Sequence, residues 1–532
     1  MLHRDKLFGI ALIVALAFLS IAGYRPAATP APPALPTVLS LTPTAKPMEQ
    51  VLRIGAMRDF KEAIEGRNLI FETLVSLDEA GNVLPKLAES WDVADDGVTY
   101  TFYLRKGIRF HDDTPFNAEA TKFALEWLRN TAGWGKYVES IETADEYTVR
   151  LRLNQFYYPL LIDLGYEGNG KIVSPSAVEP KGDPTGNLVE YIGTGPFRLV
   201  SYKKDQEAVL VRNDNYWGQK PKLEKVIWKT VPDPNTQIMA LKAGELDIIG
   251  APEHHASVPY VQVRELKQDP NLVVMAHSYG RYQVLRFNCT KEPFLDKRVR
   301  EAINYGIDRE KMVQGLFGDI TEPAYLVMAP WFKYGPSNIK EGYRYDPDRA
   351  KRLLAEAEWK DSNGDGILDK DGNPLAFEIL VPAGEANADM VVVFVQSELK
   401  KLGIAMNITT LESGTAWERK KKGEFDVFLH HSGNIPFSPA GLLRQEHLST
   451  AGGFKHYSSP LLDQLIEKAF TTRDETERRA AYDRIWEILQ GESVAVPLYD
   501  IVKVVVLRKN VQGFAFPPTM YETGIENVEM VR

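Results

Sequence analysis

The side chains best suited to hold a small ligand are two adjacent histidines, His430 and His431, at the end of the strand-like segment Phe425–His430. Neighbouring side chains on a β-strand point to opposite faces, so at most one of the two can face a cleft. That imidazole could contact a ligand, and His431 could in its neutral form bind a metal ion. Both rings could instead be hydrogen-bonded structural residues, and the sequence leaves this open.

Two arginines follow strand-like segments and could bind an anionic group. Arg58 comes after Val51–Gly55, and Arg281 comes after Leu272–Ala276. A planar guanidinium can hold a carboxylate through two parallel hydrogen bonds, which makes both residues candidates for ligand contact. The alternative at each position is an exposed, solvated arginine.

A loop in the second half of the chain resembles the start of a calcium site. Asp361, Asn363 and Asp365 place oxygen atoms at alternate positions with glycines between them. The bidentate glutamate expected at the end of such a loop is replaced by Gly372. A surface turn, in which these side chains bind the backbone of the loop, is therefore favoured over calcium.

No catalytic motif accompanies these candidates. The sequence contains no His-Glu-x-x-His pair, no nucleophile elbow and no phosphate-binding loop. The one cysteine, Cys289, cannot form an intramolecular disulfide and is predicted to be a small buried residue. We therefore predict a binding protein without a cofactor, not an enzyme.

The candidate residues must be positioned by a body in which helices and strands alternate, which favours an α/β fold with mixed sheets. The predicted helices are Glu119–Arg129, Thr236–Ala243, Lys297–Tyr305, Arg309–Phe317, Pro347–Ala357, Ala388–Leu402, Pro460–Phe470 and Glu475–Leu489. The predicted strands are Val51–Gly55, Val98–Leu104, Thr148–Leu153, Val209–Arg212, Val226–Thr230, Leu272–Ala276, Val284–Cys289, Phe377–Val381, Ala405–Thr410, Phe425–His430 and Ile501–Leu507.

Length and charge narrow the class of protein. A chain of 532 residues is too long for one core and should divide into at least two parts. The net charge of −9 argues against nucleic acid or an anionic membrane as the main partner. The one dense basic run, Arg419–Lys422, is predicted to be a solvated helix end.

The N-terminal sequence has the features of a segment that directs export of the protein. Basic residues precede the apolar run Leu7–Ala22, so residues 1–23 are predicted to be a signal peptide or an uncleaved anchor. Tyr24 stands where a lipoprotein would carry its lipidated cysteine, which excludes lipidation there. Residues 24–47 are rich in proline and predict an extended tether. We therefore expect an extracytoplasmic protein, in the periplasm or at the outer face of the cell membrane.

Over most of Leu52–Val506 the chain resembles the solute-binding receptors of ABC importers of the peptide/nickel class, extracellular family 5. The segments that carry the resemblance come in the order of the family, and they are Leu87–Trp91 with the following Asp95–Ala118, Ile192–Phe197, Arg212–Gly218, Ala243–Asp247, Phe287–Asn288, Pro293–Ile303, Tyr345–Pro347 and Val496–Leu498. Each segment is short and weak alone, but their common order makes chance agreement improbable.

The resemblance implies a two-lobed fold of the periplasmic-binding-protein type (class II, large peptide/nickel type), with mixed sheets and a hinge. Lobe I would comprise residues 48–278 and the returning residues 491–532, and lobe II would comprise residues 279–490. The lobes would close over a peptide or a nickel or other metal-chelate ligand. The chain, as a monomer that binds no nucleic acid, would then deliver the ligand to the permease and ATPase subunits of an importer.

The resemblance also points to further ligand contacts. In peptide receptors of the family, a loop after a strand of the second lobe carries a tryptophan and an aspartate, and Phe428–Pro439 has neither. Nickel receptors fit this stretch better, and Asn434 and Phe437 within it are predicted ligand contacts. Lys171 resembles the position of an arginine that binds chelate carboxylates. Two alternatives remain open, namely a tethered sensory or adhesion protein and a peptidase on the same scaffold.

Overall fold

Helices and strands alternate along the chain in the computed structural model, which describes residues 49–253, 257–385, 387–432, 438–449 and 456–532. The helices in these ranges are α1 (Ala118–Arg129), α2 (Leu160–Gly165), α3 (Glu167–Gly170), α4 (Pro234–Ala243), α5 (Tyr260–Gln268), α6 (Lys297–Gly306), α7 (Arg309–Leu316), α8 (Pro347–Glu356), α9 (Ala388–Lys400), α10 (Ser413–Lys422), α11 (Ala440–Glu446), α12 (Pro460–Thr471) and α13 (Glu475–Gly491).

The strands in the same ranges are β1 (Val51–Ala56), β2 (Glu72–Thr73), β3 (Val75–Leu77), β4 (Val83–Pro85), β5 (Ala88–Val93), β6 (Thr99–Leu104), β7 (Val138–Asp145), β8 (Thr148–Leu153), β9 (Lys171–Ile172), β10 (Val178–Glu179), β11 (Asn187–Leu188), β12 (Phe197–Lys203), β13 (Glu207–Arg212), β14 (Lys225–Thr230), β15 (Ile248–Ile249), β16 (Leu272–Phe287), β17 (Asp369–Lys370), β18 (Asn373–Pro374), β19 (Ala376–Pro382), β20 (Ala405–Leu411), β21 (Val427–His431), β22 (Ala495–Arg508), β23 (Val511–Gln512) and β24 (Glu529–Met530).

All the helices predicted from the sequence are present, with ends that differ by at most two residues. The N-termini of α6, α7 and α8 follow from capping, since the side chains of Asp296, Asp308 and Asp346 each accept a hydrogen bond from a backbone N–H of the first turn. Three short helices that line or support the cavity described below, α3, α10 and α11, were not predicted.

A ten-stranded sheet runs through the body in the order β12-β13-β14-β1-β15-β22-β16-β21-β19-β20. Strand β1 is parallel to both neighbours, whereas β16 pairs antiparallel with both of its neighbours, β22 and β21. A separate antiparallel sheet is formed by β5, β6, β8 and β7. The predicted α/β fold with mixed sheets is confirmed.

The centre of the large sheet is a pair of long antiparallel strands, β16 and β22. At one end of this pair, β22 is hydrogen-bonded to β15 at Ile248–Ile249. At the other end, β16 is hydrogen-bonded to β21 at Val427–His431. The sequence analysis divided β16 into two strands and started β22 six residues too late. It missed their continuity because both strands run through polar residues at the crossing point, including Ser278 and Asp500.

Strand β16 contains a bulge where it crosses the middle of the sheet. Ser278 pairs with Val502 and Tyr282 pairs with Asp500, so three residues of β16 face one residue of β22. Gly280, inside the bulge, has a φ of +68°, a conformation that favours glycine. The predicted boundary between lobe I and lobe II falls at this bulge.

The residues from Met48 to Arg532 form one unit in which the predicted lobes touch. The backbone N–H of Tyr158 donates to the carbonyl of Phe470 at 2.8 Å, and Trp228 of β14 belongs to the same hydrophobic cluster as Trp486 of α13. The two-lobe division with its hinge therefore stays a prediction. Residues 1–47, the predicted signal or anchor and tether, lie outside the described residues.

Within the described ranges, the chain forms no helix that is both long and apolar enough to cross a membrane.

Candidate functional site

A cavity of about 1080 Å³ lies beside the bulge of β16. It brings together four of the predicted ligand contacts, Arg58, Arg281, His430 and His431. The expectation that at most one of the two histidines faces a cleft is wrong, because both line this cavity at the end of β21. Its other ionisable lining residues are Glu253, Glu385, Glu412, Lys421 and Arg444, and its aromatic ones are Tyr166, Trp417 and Tyr521. The cavity thus has charged, aromatic and hydrogen-bonding walls that come from both sides of the bulge.

Three other predicted contacts are not seen in this cavity. Lys171 lies in β9, is buried, and holds its ammonium group 5.4 Å from the centre of the Trp127 ring, outside the cavity lining. A charge there can act on a ligand only at longer range. Asn434 and Phe437 lie outside the described residues, so their predicted roles stay predictions.

Arg281 and His431 are in contact at the wall of the cavity. Strands β16 and β21 pair Gln283 with His431, so the bulge places Arg281 next to the end of β21. Nη2 of Arg281 contacts both ring nitrogens of His431, and Nη1 lies 3.2 Å from Sδ of Met520. Arg281 is only 2% exposed, and this burial lowers the pKa of its guanidinium.

His430 makes a different contact from its neighbour. Its Nε2 lies 3.1 Å from a carboxylate oxygen of Glu446, which accepts the N–H of the ring. Burial, together with the charge of Lys420, lowers the pKa of His430 to about 3, so the ring is neutral. The ring centres of His430 and His431 are 4.3 Å apart, and Trp417 packs edge-on against His430 at 5.0 Å.

Behind His430 lies a buried ionic cluster that the sequence analysis missed. Glu446 is 3.1 Å from Nζ of Lys420, 3.6 Å from Nε of Arg286 and 3.7 Å from Nδ1 of His456. Burial acts to raise the pKa of Glu446, and the neighbouring cations act to lower it. The effect of the cations is larger, so the carboxylate stays ionised. Burial lowers the pKa of Lys420 to about 8.

The prediction that Arg419–Lys422 is a solvated helix end is wrong for Lys420. This side chain has no exposed surface, because α10 turns it inward to meet Glu446. The helix presents mostly polar residues, so its hydrophobic periodicity gave no signal of a buried face. Glu446 lies at the end of α11, a short helix in which periodicity is equally uninformative.

Arg58, which belongs to predicted lobe I, lines the cavity between two buried carboxylates. Its Nη2 is 3.1 Å from Glu65, and its Nε is 3.5 Å from Glu253. Burial acts to lower the pKa of Arg58, but the two carboxylates outweigh it and raise the pKa. Glu253 also accepts the backbone N–H of Met57 at 2.7 Å, which fixes its position.

A third arginine, Arg444, joins the two predicted lobes at the edge of the cavity. Its Nη2 contacts the hydroxyl of Tyr157 and lies 3.1 Å from the carboxylate of Asp163, which is buried. Burial acts to lower the pKa of Arg444, but Asp163 and Tyr157 raise it above its usual value. No motif in the sequence indicated this pair, because its members are far apart in the chain.

The remaining sequence candidates are placed away from the cavity. Both carboxylate oxygens of Asp361 accept backbone N–H groups of Gly364 and Gly366, and Asn363 and Asp365 accept others in the same loop. Within the described ranges, no group of three or more histidine, cysteine or acidic side chains is arranged to hold a metal ion. Cys289 is half-buried just beyond β16, and burial raises the pKa of its thiol to about 12.

The chain is similar to known binding proteins over most of its length. The family model "Bacterial extracellular solute-binding proteins, family 5 Middle" matches residues 82–453. The nickel-binding periplasmic protein of Escherichia coli (strain K12) is 28% identical over 477 residues, which cover 88% of this chain and 90% of that protein. Di/tripeptide-binding protein 2 of Pseudomonas aeruginosa (strain UCBPP-PA14) is 30% identical over 472 residues, which cover 82% of this chain and 85% of that protein.

The fold is also similar to solved structures. The crystal structure of NikA from Brucella suis in complex with Fe(III)-EDTA superposes with a TM-score of 0.83 at 28% identity, over 90% of this chain and 100% of that chain.

Proposed function

The chain belongs to the bacterial extracellular solute-binding proteins of family 5, and from this premise we propose that it is the extracytoplasmic receptor of an ABC importer. In this proposal it captures a peptide or a metal-chelate ligand outside the cytoplasm and delivers it to permease and ATPase subunits. It acts as a monomer, does not catalyse a reaction and binds no nucleic acid.

The observation that carries the proposal is the cavity of about 1080 Å³ with charged and aromatic walls. Sites for small ligands commonly measure ~300–1000 Å³, so this cavity has room for several amino acid residues or for a chelate with its water. The relatives support the same two ligand classes, since they are named for nickel and for di- and tripeptides.

Capture would occur by closure of the two predicted lobes about the bulge of β16. Ligand contacts made with both lobes at once exist only in the closed form, so ligand shifts the equilibrium toward it. Among the lining residues, Arg58 belongs to predicted lobe I, and Arg281, His430 and His431 belong to predicted lobe II, which is the arrangement such a mechanism needs.

The proposal can be tested by mass spectrometry of the full chain purified without denaturation. We expect a bound small molecule, released on unfolding, that is a peptide or a metal chelate, and a more compact protein by small-angle scattering when that molecule is added back. A chain that carries nothing, and whose scattering and thermal transition do not respond to tripeptides or to nickel with histidine, would contradict the proposal. Hydrolysis of added peptides would favour the peptidase alternative.

A further inference from the structure

We propose that Arg444 and Asp163 form a clasp between the two predicted lobes, and that this clasp determines how much of the protein is in the closed form that holds ligand. Arg444 lies on α11, in predicted lobe II, and Asp163 lies on α2, in predicted lobe I. This role rests on the proposed capture function and deepens it, since the pair would regulate closure of the same site.

Three donors hold the carboxylate of Asp163, and only one of them comes from the other predicted lobe. Oδ2 accepts the hydroxyl of Tyr157 at 2.7 Å and lies 3.1 Å from Nη2 of Arg444. Oδ1 accepts the side-chain amide of Asn169 at 3.4 Å. Because Tyr157 and Asn169 belong to predicted lobe I, opening would leave this carboxylate hydrogen-bonded there and would remove only the guanidinium.

The side chain of Arg444 fills a slot in predicted lobe I. It is 12% exposed and the side chain of Asp163 is 4% exposed, so the ion pair is shielded from water. Gly133 leaves room for the arginine, since a Cβ atom at this glycine would lie 2.7 Å from Cδ of Arg444. The slot and the side chain that fills it therefore come from different predicted lobes.

The clasp lies at the edge of the candidate ligand cavity. Arg444, Gly133 and Asn169 all line the cavity, and the carboxylate of Asp163 fixes the position of the arginine among them. Movement of Arg444 away from Gly133 would open the cavity wall at this edge. Formation of the ion pair is thus coupled to retention of a ligand inside.

A buried ion pair suits a contact that must break and form again. The cost of removing both charges from water is close to the gain from their attraction, so the pair does not lock the closed form. On opening, both groups regain water. Nε of Arg444 and the hydroxyl of Tyr482 are also buried without a hydrogen-bond partner among the described residues, whereas a permanent core pairs nearly all of its buried polar groups.

Two backbone hydrogen bonds allow opening to be measured. The N–H of Tyr158, in predicted lobe I, donates to the carbonyl of Phe470, in predicted lobe II, at 2.8 Å. The N–H of Asn154 donates to the carbonyl of Tyr137 at 2.8 Å, and both of these residues belong to predicted lobe I. Separation of the lobes therefore exposes the amide of Tyr158 to solvent and leaves that of Asn154 protected.

The test measures amide hydrogen exchange at Tyr158 and Asn154 in the full chain, without ligand and with added tripeptides or nickel with histidine. In Arg444→Met the closed form loses the charged partner of Asp163, and the open form loses nothing. We expect exchange at Tyr158 to become about 10- to 100-fold faster, the usual effect of losing a charge-assisted hydrogen bond, and exchange at Asn154 to stay unchanged. A bound probe should also dissociate faster from this variant.

Further variants separate the clasp from a general loss of stability. Gly133→Ala changes no charge but crowds the stem of Arg444, so it should also speed exchange at Tyr158. Arg444→Lys keeps the charge and should show slower exchange there than Arg444→Met. These two variants decide the matter even if Arg444→Met fails to fold. The matched control is Arg479→Met, which breaks an ion pair with Asp483 inside α13 and should leave exchange at Tyr158 unchanged.

Each contrary result has a distinct meaning. Exchange at Tyr158 that stays unchanged in the clasp variants, or rises only as much as exchange at Asn154, would overturn the clasp and leave the proposed function intact. Exchange at Tyr158 at the rate of an unprotected amide in the unchanged chain, with and without the probes, would do the same. Failure of every probe to bind would overturn the proposed function, and with it the role of the clasp in capture.

Discussion

His430 and His431 are neighbours in the chain, yet their rings contact different partners. His430 gives its N–H to Glu446, whereas His431 faces the guanidinium of Arg281. The difference arises from residues that lie far away in sequence, on α11 and in the bulge of β16. The identity of an imidazole alone therefore does not decide whether it acts as donor or acceptor.

At the residue scale, Glu446 provides the negative charge that balances two buried cations behind His430, Lys420 and Arg286. We expect Glu446→Gln to lower the free energy of unfolding by about 3–5 kcal/mol, because it leaves Lys420 and Arg286 buried without their carboxylate. Urea denaturation at pH 7 measures the loss.

The matched control is the double variant Glu446→Gln with Lys420→Met, which removes one buried cation together with the carboxylate. It should recover part of the lost stability. A Glu446→Gln protein within about 1 kcal/mol of the unchanged chain would show that the cluster is relaxed by water or by deprotonation of Lys420.

At the scale of elements, the bulge in β16 lies where this strand crosses the middle of the sheet, and it determines the position of Arg281. A Cβ atom on Gly280 would lie 2.2 Å from the ring of Trp331 and 2.6 Å from the ring of Phe332. The segment that carries these rings is also tied to β22, since the backbone N–H of Ala324 donates to the carbonyl of Leu498 at 3.1 Å. The bulge is thus packed against a segment that is itself fixed to β22.

We expect Gly280→Ala to destabilise the fold by more than backbone strain alone, in total by about 2–4 kcal/mol, because the new methyl group must displace two aromatic rings. The matched control is Gly107→Ala, where φ is +77° and no atom lies within 4 Å of the new Cβ. That change isolates the strain of a positive φ and should cost about 1 kcal/mol. Equal losses in thermal unfolding would contradict the packing of the bulge.

At the scale of the whole molecule, buried neutral histidines couple stability to pH. Burial lowers the pKa of His430 and of His447 to about 3, and it lowers the pKa of His456 well below its usual value. An unfolded chain binds protons at these residues below a pH of about 6.5, and the folded chain does not. Stability from these residues is therefore complete above about pH 6.5 and is lost as the pH falls toward 3.

We expect the free energy of unfolding to fall by about 2 kcal/mol for His430 and by about 2 kcal/mol for His447 between pH 7 and pH 5, and the lowered pKa of His456 acts in the same direction. Asp500 acts in the opposite direction, because burial raises its pKa to about 6. Urea denaturation at the two pH values should show a net loss, and the loss should be about 2 kcal/mol smaller in His447→Gln. Parallel behaviour of that variant and the unchanged chain would contradict a neutral, buried His447.

The sequence by itself determined the class of fold, the ends of the longer helices and the family. These features depend on local signals, such as helix periodicity, the capping aspartates at 296, 308 and 346, and short segments in a common order. It also identified four candidate ligand contacts that line one cavity, namely Arg58, Arg281, His430 and His431. Their predicted contact with ligand stays a prediction.

Only the tertiary structure decided what those four residues touch. The bulge that turns Arg281 toward His431, and the burial of Lys420 against Glu446, arise from pairing between segments more than twenty residues apart. Desolvation and Coulomb interactions depend on distance in space, so charge state and hydrogen-bonding role cannot be obtained from the order of residues. For this reason the sequence could name the candidate side chains but could not tell donor from acceptor.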